Sequence, residues 1–186
     1  MRWLETILAR RRAARARHQR SASLYAEVVE EARDPDLFRR FRLPDTVDVR
    51  FELLALAVLL RSRALARQGR EGERLAQALV DWFFLDLDRN LREMGVSDLA
   101  IARRMRDLAG TWLARARDAG AALDAGNASA LAAILRRNLG HASEHADLEG
   151  LAALAVARDA ALPPATAEPG ATGQRAPDSP NSTRSR

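Results

Sequence analysis

Residues 86–98 have the sequence DLDRNLREMGVSD, which predicts a helix end, a turn and a new helix start without an intervening loop. Gly95 occupies the position of a C-terminal helix cap, where glycine adopts left-handed backbone angles without a steric penalty. Ser97 follows as a candidate N-cap of the next helix, because its hydroxyl can accept a hydrogen bond from a free backbone N–H group. The stretch therefore predicts two successive helices joined by a tight turn.

Apolar residues at helical spacing extend this pattern on both sides of the turn. The upstream helix is predicted over 73–94, after a turn at 70–72, and the downstream helix over 98–119. A zone of small residues follows at 120–127. The predicted core positions are Leu75, Leu79, Phe83, Leu87, Leu91 and Met94 upstream, and Ile101, Met105, Leu108, Trp112 and Ala116 downstream.

The rest of the sequence also predicts helices, and no stretch has the alternation of a β-strand. The most apolar helix runs from an N-cap at Asp45 to about Arg67, and its leucines surround it on nearly every side, which predicts a place in the middle of a bundle. We predict an all-α fold, a single-domain multi-helix bundle with a basic N-terminal helix and a disordered C-terminal tail. The other predicted helices cover 2–17, 24–33 (capped by Ser21 or Ser23), 36–41, 128–139 and 144–161.

Composition agrees with a helical domain and excludes several kinds of site. The 186 residues include no cysteine, which excludes disulfides and zinc–thiolate centres. All 30 basic residues are arginine, and the net charge is +5. The longest apolar run, Leu53–Leu60, is shorter than the about 20 residues that a transmembrane helix needs. Proline, glycine, serine and threonine dominate after residue 162, so 163–186 is predicted to be a disordered tail.

Residues 1–20 form a basic leader with seven arginines and one glutamate, ahead of a helical domain predicted over 21–162. Three interpretations of the leader are open: an amphipathic helix on an anionic membrane surface, an organelle-targeting presequence, or a solvated extension. On the first interpretation, the residues that contact lipid are Trp3, Leu4, Ile7, Leu8, Arg10, Arg11 and Arg12.

Two polar residues fall on the apolar face of helix 73–94. At about 100° per residue, Asp86 and Asn90 project among the leucines of this face. A buried carboxylate needs a partner, because an unpaired charge is strongly destabilising in the interior. Arg50, in the first turn of the central helix, is the candidate partner. The pair is interpreted either as an interior salt bridge that fixes helix register or as the polar floor of a binding cleft.

Other motifs give little support for catalysis. His141 and His145 are four residues apart, but a third metal ligand has no clear source, so no metal site is predicted. No phosphate-binding glycine loop or nucleophile elbow is present, and no catalytic or cofactor-binding residue is predicted. A stripe of arginines could contact an RNA backbone, although a solvated helix face explains it as well. The stripe consists of Arg103, Arg104, Arg106, Arg115 and Arg117.

Three segments together resemble the ubiquinol–cytochrome c chaperone family, the bacterial and mitochondrial relatives of an assembly factor for cytochrome b in the bc1 complex. They are Leu24–Tyr25, the string LPDTVDVRFE at 43–52, and LREMGVSD at 91–98, which follows two aspartates. The resemblance covers roughly residues 24–139. One departure is the sequence TWLAR at 111–115, where relatives tend to carry a tyrosine–glycine–arginine string.

The resemblance implies an all-α chaperone that is not an enzyme and needs no cofactor. Its implied client is newly made cytochrome b, met at the cytoplasmic or matrix face of the inner membrane. A small partner chaperone, the ribosome and the anionic membrane surface are further implied partners; DNA is not.

The run WFFL at 82–85 adds an apolar patch of the kind that marks partner sites. Two alternative functions stay open: a ribosome- or RNA-binding factor that uses the arginine stripe, and a small-molecule enzyme with a carboxylate site near Asp86. The predicted client-binding residues are Asp45, Asp48, Arg50, Trp82, Leu85, Asp86, Asn90, Glu93 and Trp112.

Overall fold

The computed structural model describes residues 2–161, and all regular structure in that range is helical, which confirms the predicted fold class. The predicted tail at 163–186 lies outside the described residues. So do six side chains within the helices and turns: those of Arg2, Leu4, Arg10, Ala13, Ala142 and Ser143. The elements in chain order are α1 (Arg2–Ala32), α2 (Pro35–Arg40), α3 (Val47–Ala66), α4 (Arg70–Glu93), α5 (Asp98–Asp124), α6 (Ala128–Leu139), a single 3-10 turn (Gly140–Ser143) and α7 (Leu148–Ala160).

The helix α3 lies in the centre of the bundle, as its apolar surround predicted, and it contacts α1, α4, α5, α6 and α7. Val49 and Leu53 belong to a core cluster shared with α5, α6 and α7. Ala55 and Val58 belong to a second cluster shared with α1 and α4. One helix therefore contributes to both cores, which is why apolar residues are needed on all of its sides.

The helix α1 is uninterrupted, so the helix break predicted between residues 17 and 24 is wrong. Ser21 is not an N-cap. Its side chain is fully buried, its hydroxyl donates to the carbonyl of His18, and it accepts a hydrogen bond from Trp82 Nε1 at 3.1 Å. Arg17 forms an ion pair with Glu71 of α4 at 2.8 Å. The boundary predicted at residue 20 therefore falls inside a helix whose second half packs along α4.

The starts of α3 and of α4 both differ from the prediction. Thr46 caps α3 instead of Asp45, because the threonine hydroxyl accepts a backbone hydrogen bond in the first helical turn. The helix α4 begins at Arg70, so Gly72 lies inside the helix and not in a turn. A Cβ atom at Gly72 would lie 2.0 Å from the carbonyl oxygen of Leu65. The glycine thus permits a close approach of α4 to the end of α3.

Two glycines with positive φ end their helices in the manner expected of a C-terminal cap. Gly95, at φ 76°, follows α4 as predicted. The helix α5, however, continues past its predicted end at 119, because Gly120 is buried inside it and the terminating glycine is Gly126, at φ 60°. Met94 was predicted in the core but is 69% exposed, since α4 ends just before it.

A buried ion cluster attaches α7 to α3. Asp159 is only 3% exposed and accepts hydrogen bonds from Arg63 Nε and Arg67 Nη2, each at 2.8 Å. Burial acts to raise the pKa of Asp159, but the hydrogen bonds from the two arginines outweigh it and lower that pKa below its usual value. The carboxylate therefore stays charged inside the fold.

Candidate functional site

A groove of about 720 Å³ opens between α1, α3 and α4, and residues of α5 and α6 complete its wall. Val47 and Met94 stand on its rim and are 82% and 69% exposed, a large exposure for apolar side chains. The groove is thus apolar and open to solvent. Its partly buried apolar lining consists of Val29, Phe51, Leu54, Leu87 and Leu108.

The bottom of the groove is polar. Glu52 of α3 is 7% exposed and accepts hydrogen bonds from Arg115 of α5 at 2.8 Å and from Asn138 of α6 at 2.6 Å. All three residues line the groove. Because both carboxylate oxygens have donors, the buried charge is satisfied and holds three helices together. Arg115 therefore belongs to this floor. The prediction from the sequence that it lies in a solvent-facing stripe is wrong.

Asp86 faces α1, in line with its helical position, but its predicted partner is wrong. The hydroxyl of Tyr25 donates to Asp86 Oδ2 at 2.8 Å, and Tyr25 is 8% exposed. Burial, and secondly this hydrogen bond, raise the pKa of Tyr25, so the phenol stays neutral and acts as a donor. The half-buried carboxylate is therefore stabilised by a neutral partner from α1.

Arg50 forms its ion pair with Asp45 and not with Asp86. Its Nη2 donates to Asp45 Oδ2 at 2.7 Å, and this bond lowers the pKa of Asp45. Both side chains are largely exposed, so the pair forms with little of the desolvation cost that an interior salt bridge would carry. Arg50 also lies 5.8 Å from the ring centroid of Phe38 in α2. Arg50 thus lies in the wall of the groove, in contact with Asp45 and Phe38, and does not form a salt bridge in the interior.

The predicted client-binding residues fall into two groups. The groove brings together five of them, since all five line it: Asp48, Arg50, Asp86, Asn90 and Glu93. Asp45 is adjacent through its bond to Arg50. The other three are placed elsewhere and do not line the groove: Trp82, Leu85 and Trp112.

The apolar run at 82–85 is taken up mainly by packing between helices. Trp82 stacks on His18 of α1, with ring centroids 5.0 Å apart. Phe83 is fully buried, and Phe84 meets Trp112 of α5 edge-on at 5.7 Å. Leu85 is 46% exposed and is the residue of this run that remains largely accessible. The run therefore joins neighbouring helices to α4, and the expected exposed patch is reduced to one leucine.

Sequence reasoning missed the partners that complete the site. Tyr25 carried a usable signal, because it is the single tyrosine of the chain and lies within a segment that the resemblance covers. Glu52 carried a second signal as an acid inside the most apolar helix, where burial without a donor would be costly. Arg115 and Asn138 carried none, since their pairing depends on how α5 and α6 dock on α3.

The first half of α1 carries the predicted membrane-binding residues. Trp3 and Leu8 are 72% and 52% exposed, Ile7 is half-buried, and Arg11 and Arg12 are exposed. At about 100° per residue the arginines share faces with the apolar residues. The segment therefore separates apolar from basic residues along its length, and not into two opposite faces. The side chains of Leu4 and Arg10 lie outside the described ones.

A second groove, of about 520 Å³, lies between α1, α3 and α7. Leu37, Leu60 and Leu154 are among its lining residues, and the ion pair of Arg61 with Glu31 stands at its edge. Its lining carries no carboxylate other than Glu31. This groove is therefore smaller and less polar than the groove at Asp86.

The remaining sequence features give no further site in the described part of the chain. His141 and His145 are exposed beside the 3-10 turn, and no cluster of three potential metal ligands occurs within residues 2–161. Arg103, Arg104 and Arg106 are exposed on α5. No helix in the described range has the length and apolar character to cross a membrane.

Comparison with known proteins agrees with this architecture. The family model described as Ubiquinol-cytochrome C chaperone matches residues 39–166. A solved structure titled as the Cbp3 homolog from Brucella abortus is similar, with a TM-score of 0.70 and 34% sequence identity, over 84% of this chain and 86% of that chain. No curated protein is significantly similar.

Proposed function

The chain belongs to the ubiquinol–cytochrome c chaperone family, and from this premise we propose that it holds newly made cytochrome b in the groove between α1, α3 and α4. The observation that carries the proposal is the groove itself. An unfinished membrane polypeptide exposes apolar helices, and a chaperone must cover them without sealing them in. An open groove of about 720 Å³ with an apolar lining and a polar floor meets both requirements.

The geometry around Asp86 favours binding over catalysis. Its hydrogen-bond partner is the neutral Tyr25, and the raised pKa of that phenol removes it as a base near neutral pH. The floor carboxylate of Glu52 is engaged by two donors. We therefore propose a protein that binds and releases its client and performs no reaction.

The N-terminal half of α1 supports a place at the cytoplasmic or matrix face of the inner membrane. Apolar side chains at Trp3 and Leu8 precede a cluster of arginines, and anionic headgroups attract such clusters by about 1 kcal/mol per residue near the surface. On this proposal the membrane segment is 2–16, since Arg17 is already paired with α4. A small partner chaperone or the ribosome would then bind outside the groove.

The RNA-binding alternative loses part of its surface. Arg115 is committed to Glu52, and Arg117 lies 3.7 Å from Asp118, so the stripe that remains on α5 is short. We therefore rank it below client binding.

Site-specific photo-crosslinking in living cells tests the proposed client site. A photoreactive amino acid at Met94, on the groove rim, is expected to crosslink to cytochrome b during its synthesis. The matched control is Leu113, an apolar residue of α5 that is 62% exposed and does not line the groove. Equal crosslinking from both positions, or crosslinking from Leu113 alone, would refute the groove as the site. Unchanged cytochrome b in a deletion strain would refute the client.

A further inference from the structure

Building on the proposed client site, we infer that the groove is selective for charge: it takes the end of an apolar helix that carries lysine or arginine. Three carboxylates line the groove without a cationic partner in the described part of the chain, namely Asp48, Asp86 and Glu93. Among the described residues, Arg33 is the single lining arginine outside an ion pair, because Arg50 and Arg115 are both neutralised. The unneutralised charge of the groove is therefore negative.

The negative charge is concentrated at one end. The helices α3 and α4 are joined by a three-residue link and pack against each other, so the first turn of α3 and the last turn of α4 lie at the same end of the pair. Asp48 lies in the first of these turns and Glu93 in the second. The exposed apolar residues Val47 and Met94 are their immediate neighbours. This end offers apolar contact and carboxylates side by side.

A third carboxylate extends the pattern along the groove. Asp86 precedes Glu93 by two helical turns, a spacing of about 10 Å along α4. Phe51, Leu54 and Leu87 supply the apolar lining. An occupant that matches this surface has an apolar face and at least one cation near its end.

Transmembrane helices have this composition at their cytoplasmic ends, because lysine and arginine accumulate in the loops on that side. A fully apolar helix would leave the carboxylates of the groove without partners, and an acidic helix end would be repelled. The helix end that the groove fits is therefore the one that a membrane protein presents on the cytoplasmic side. Charge complementarity of this type determines which partner binds more than how tightly it binds.

Binding of two synthetic helical peptides to the purified full-length protein tests the inference. Both peptides have the same leucine–alanine helix and differ only in two terminal residues, Lys-Lys or Glu-Glu. Fluorescence anisotropy is expected to show binding about tenfold tighter for the lysine peptide. The difference is expected to shrink at high salt, because exposed charges are screened. Equal affinities at low salt would overturn the inference.

Charge reversal locates the effect. The variant Asp48→Lys with Glu93→Lys is expected to invert the preference toward the glutamate peptide. The control is Glu73→Lys with Asp107→Lys, which changes the net charge equally at two exposed positions outside the groove. If the control inverts the preference too, overall charge explains it and the inference is wrong.

The outcomes separate the two proposals. Crosslinking of Met94 to cytochrome b without any preference between the peptides leaves the client site intact and rejects charge selection. A groove-dependent preference without crosslinking supports charge selection and rejects cytochrome b as the client at this site.

Discussion

Replacing Gly72 by alanine should destabilise the protein, although the same change is normally favourable in a helix. Alanine in place of glycine in a helix interior stabilises a protein by roughly 0.5–1 kcal/mol. The main reason is that an unfolded chain with alanine has fewer conformations, so less entropy is lost on folding. At Gly72 the new methyl group would lie 2.0 Å from the carbonyl oxygen of Leu65, whereas real Cβ contacts essentially never fall under 3.0 Å. Because the contacted atom is a backbone oxygen and not the end of a flexible side chain, the backbone of α3 or α4 must move by about an ångström or more.

The cost of that movement is that of an overpacked core. Inserting a methyl group into a packed region typically costs about 1–3 kcal/mol, and displacement of α4 from α3 would also disturb the buried contacts of Leu75 and Leu79. After subtraction of the helix-propensity gain, and with the disturbed contacts of α4 included, we expect a net loss of about 1–2 kcal/mol in the free energy of unfolding.

A matched variant isolates the clash. Gly110 lies inside α5, and a methyl group added there would have nothing within 4 Å, so Gly110→Ala should stabilise by roughly 0.5–1 kcal/mol. Urea unfolding followed by far-ultraviolet circular dichroism measures both variants against the parent chain. The two changes should therefore differ in sign. Stabilisation of similar size by both would show that α3 and α4 do not approach closely at Gly72, and the reasoning would fail.

Three further changes test other contacts. Tyr25→Phe removes the donor to half-buried Asp86 and should cost about 1–2 kcal/mol in urea unfolding, with little additional loss when Asp86→Asn is combined with it; full additivity of the two changes would argue against the bond. The lowered pKa of Asp159 means that its ion cluster stabilises the fold above the unfolded pKa of about 4 and that this contribution is lost as pH falls through the folded pKa. Asp159→Asn should therefore cost about 3 kcal/mol of stability at pH 7 and flatten the acid end of the stability profile. The control Asp124→Asn removes an exposed partner of Arg63, which also binds Asp159, and should cost under about 1 kcal/mol. Equal losses from the two variants would contradict the burial argument. Deletion of residues 2–16, which keeps the Arg17–Glu71 pair, should abolish co-sedimentation with anionic vesicles and leave the melting temperature nearly unchanged. Undiminished sedimentation would exclude this segment as the membrane contact.

Much of the helical frame could be predicted because it depends on local signals. Gly95 marks the end of α4 through its backbone freedom, and the leucines of α3 indicate a central position through their number alone. The predicted helix boundaries were wrong where glycine occurs for a second reason, because glycine is found both in turns and inside helices at close contacts. Gly72 and Gly120 resemble turn residues in the sequence, yet each lies within a helix in a place where neighbouring elements come close.

The candidate site could be predicted only in part, for a related reason. The helical projection of Asp86 follows from spacing within α4, but its partner comes from α1, 61 residues away. No local rule distinguishes Tyr25 from Arg50 as that partner, since the choice depends on which helices pack together. Asp45, five residues before Arg50, then satisfies the arginine at the surface. Pairing across helices is thus the information that spacing alone does not contain.

The helix α1 is continuous over 31 residues, about 46 Å, and runs from the arginine cluster to the groove. The distance and rotation between its first turn and Tyr25 are consequently set by residue number. One residue inserted before Arg17 would turn the tip by about 100° and advance it by about 1.5 Å, whereas seven would advance it by about 10 Å with almost no net rotation. If the tip binds a membrane as proposed, the number of residues between the tip and Tyr25, as well as their composition, sets the direction in which the groove faces.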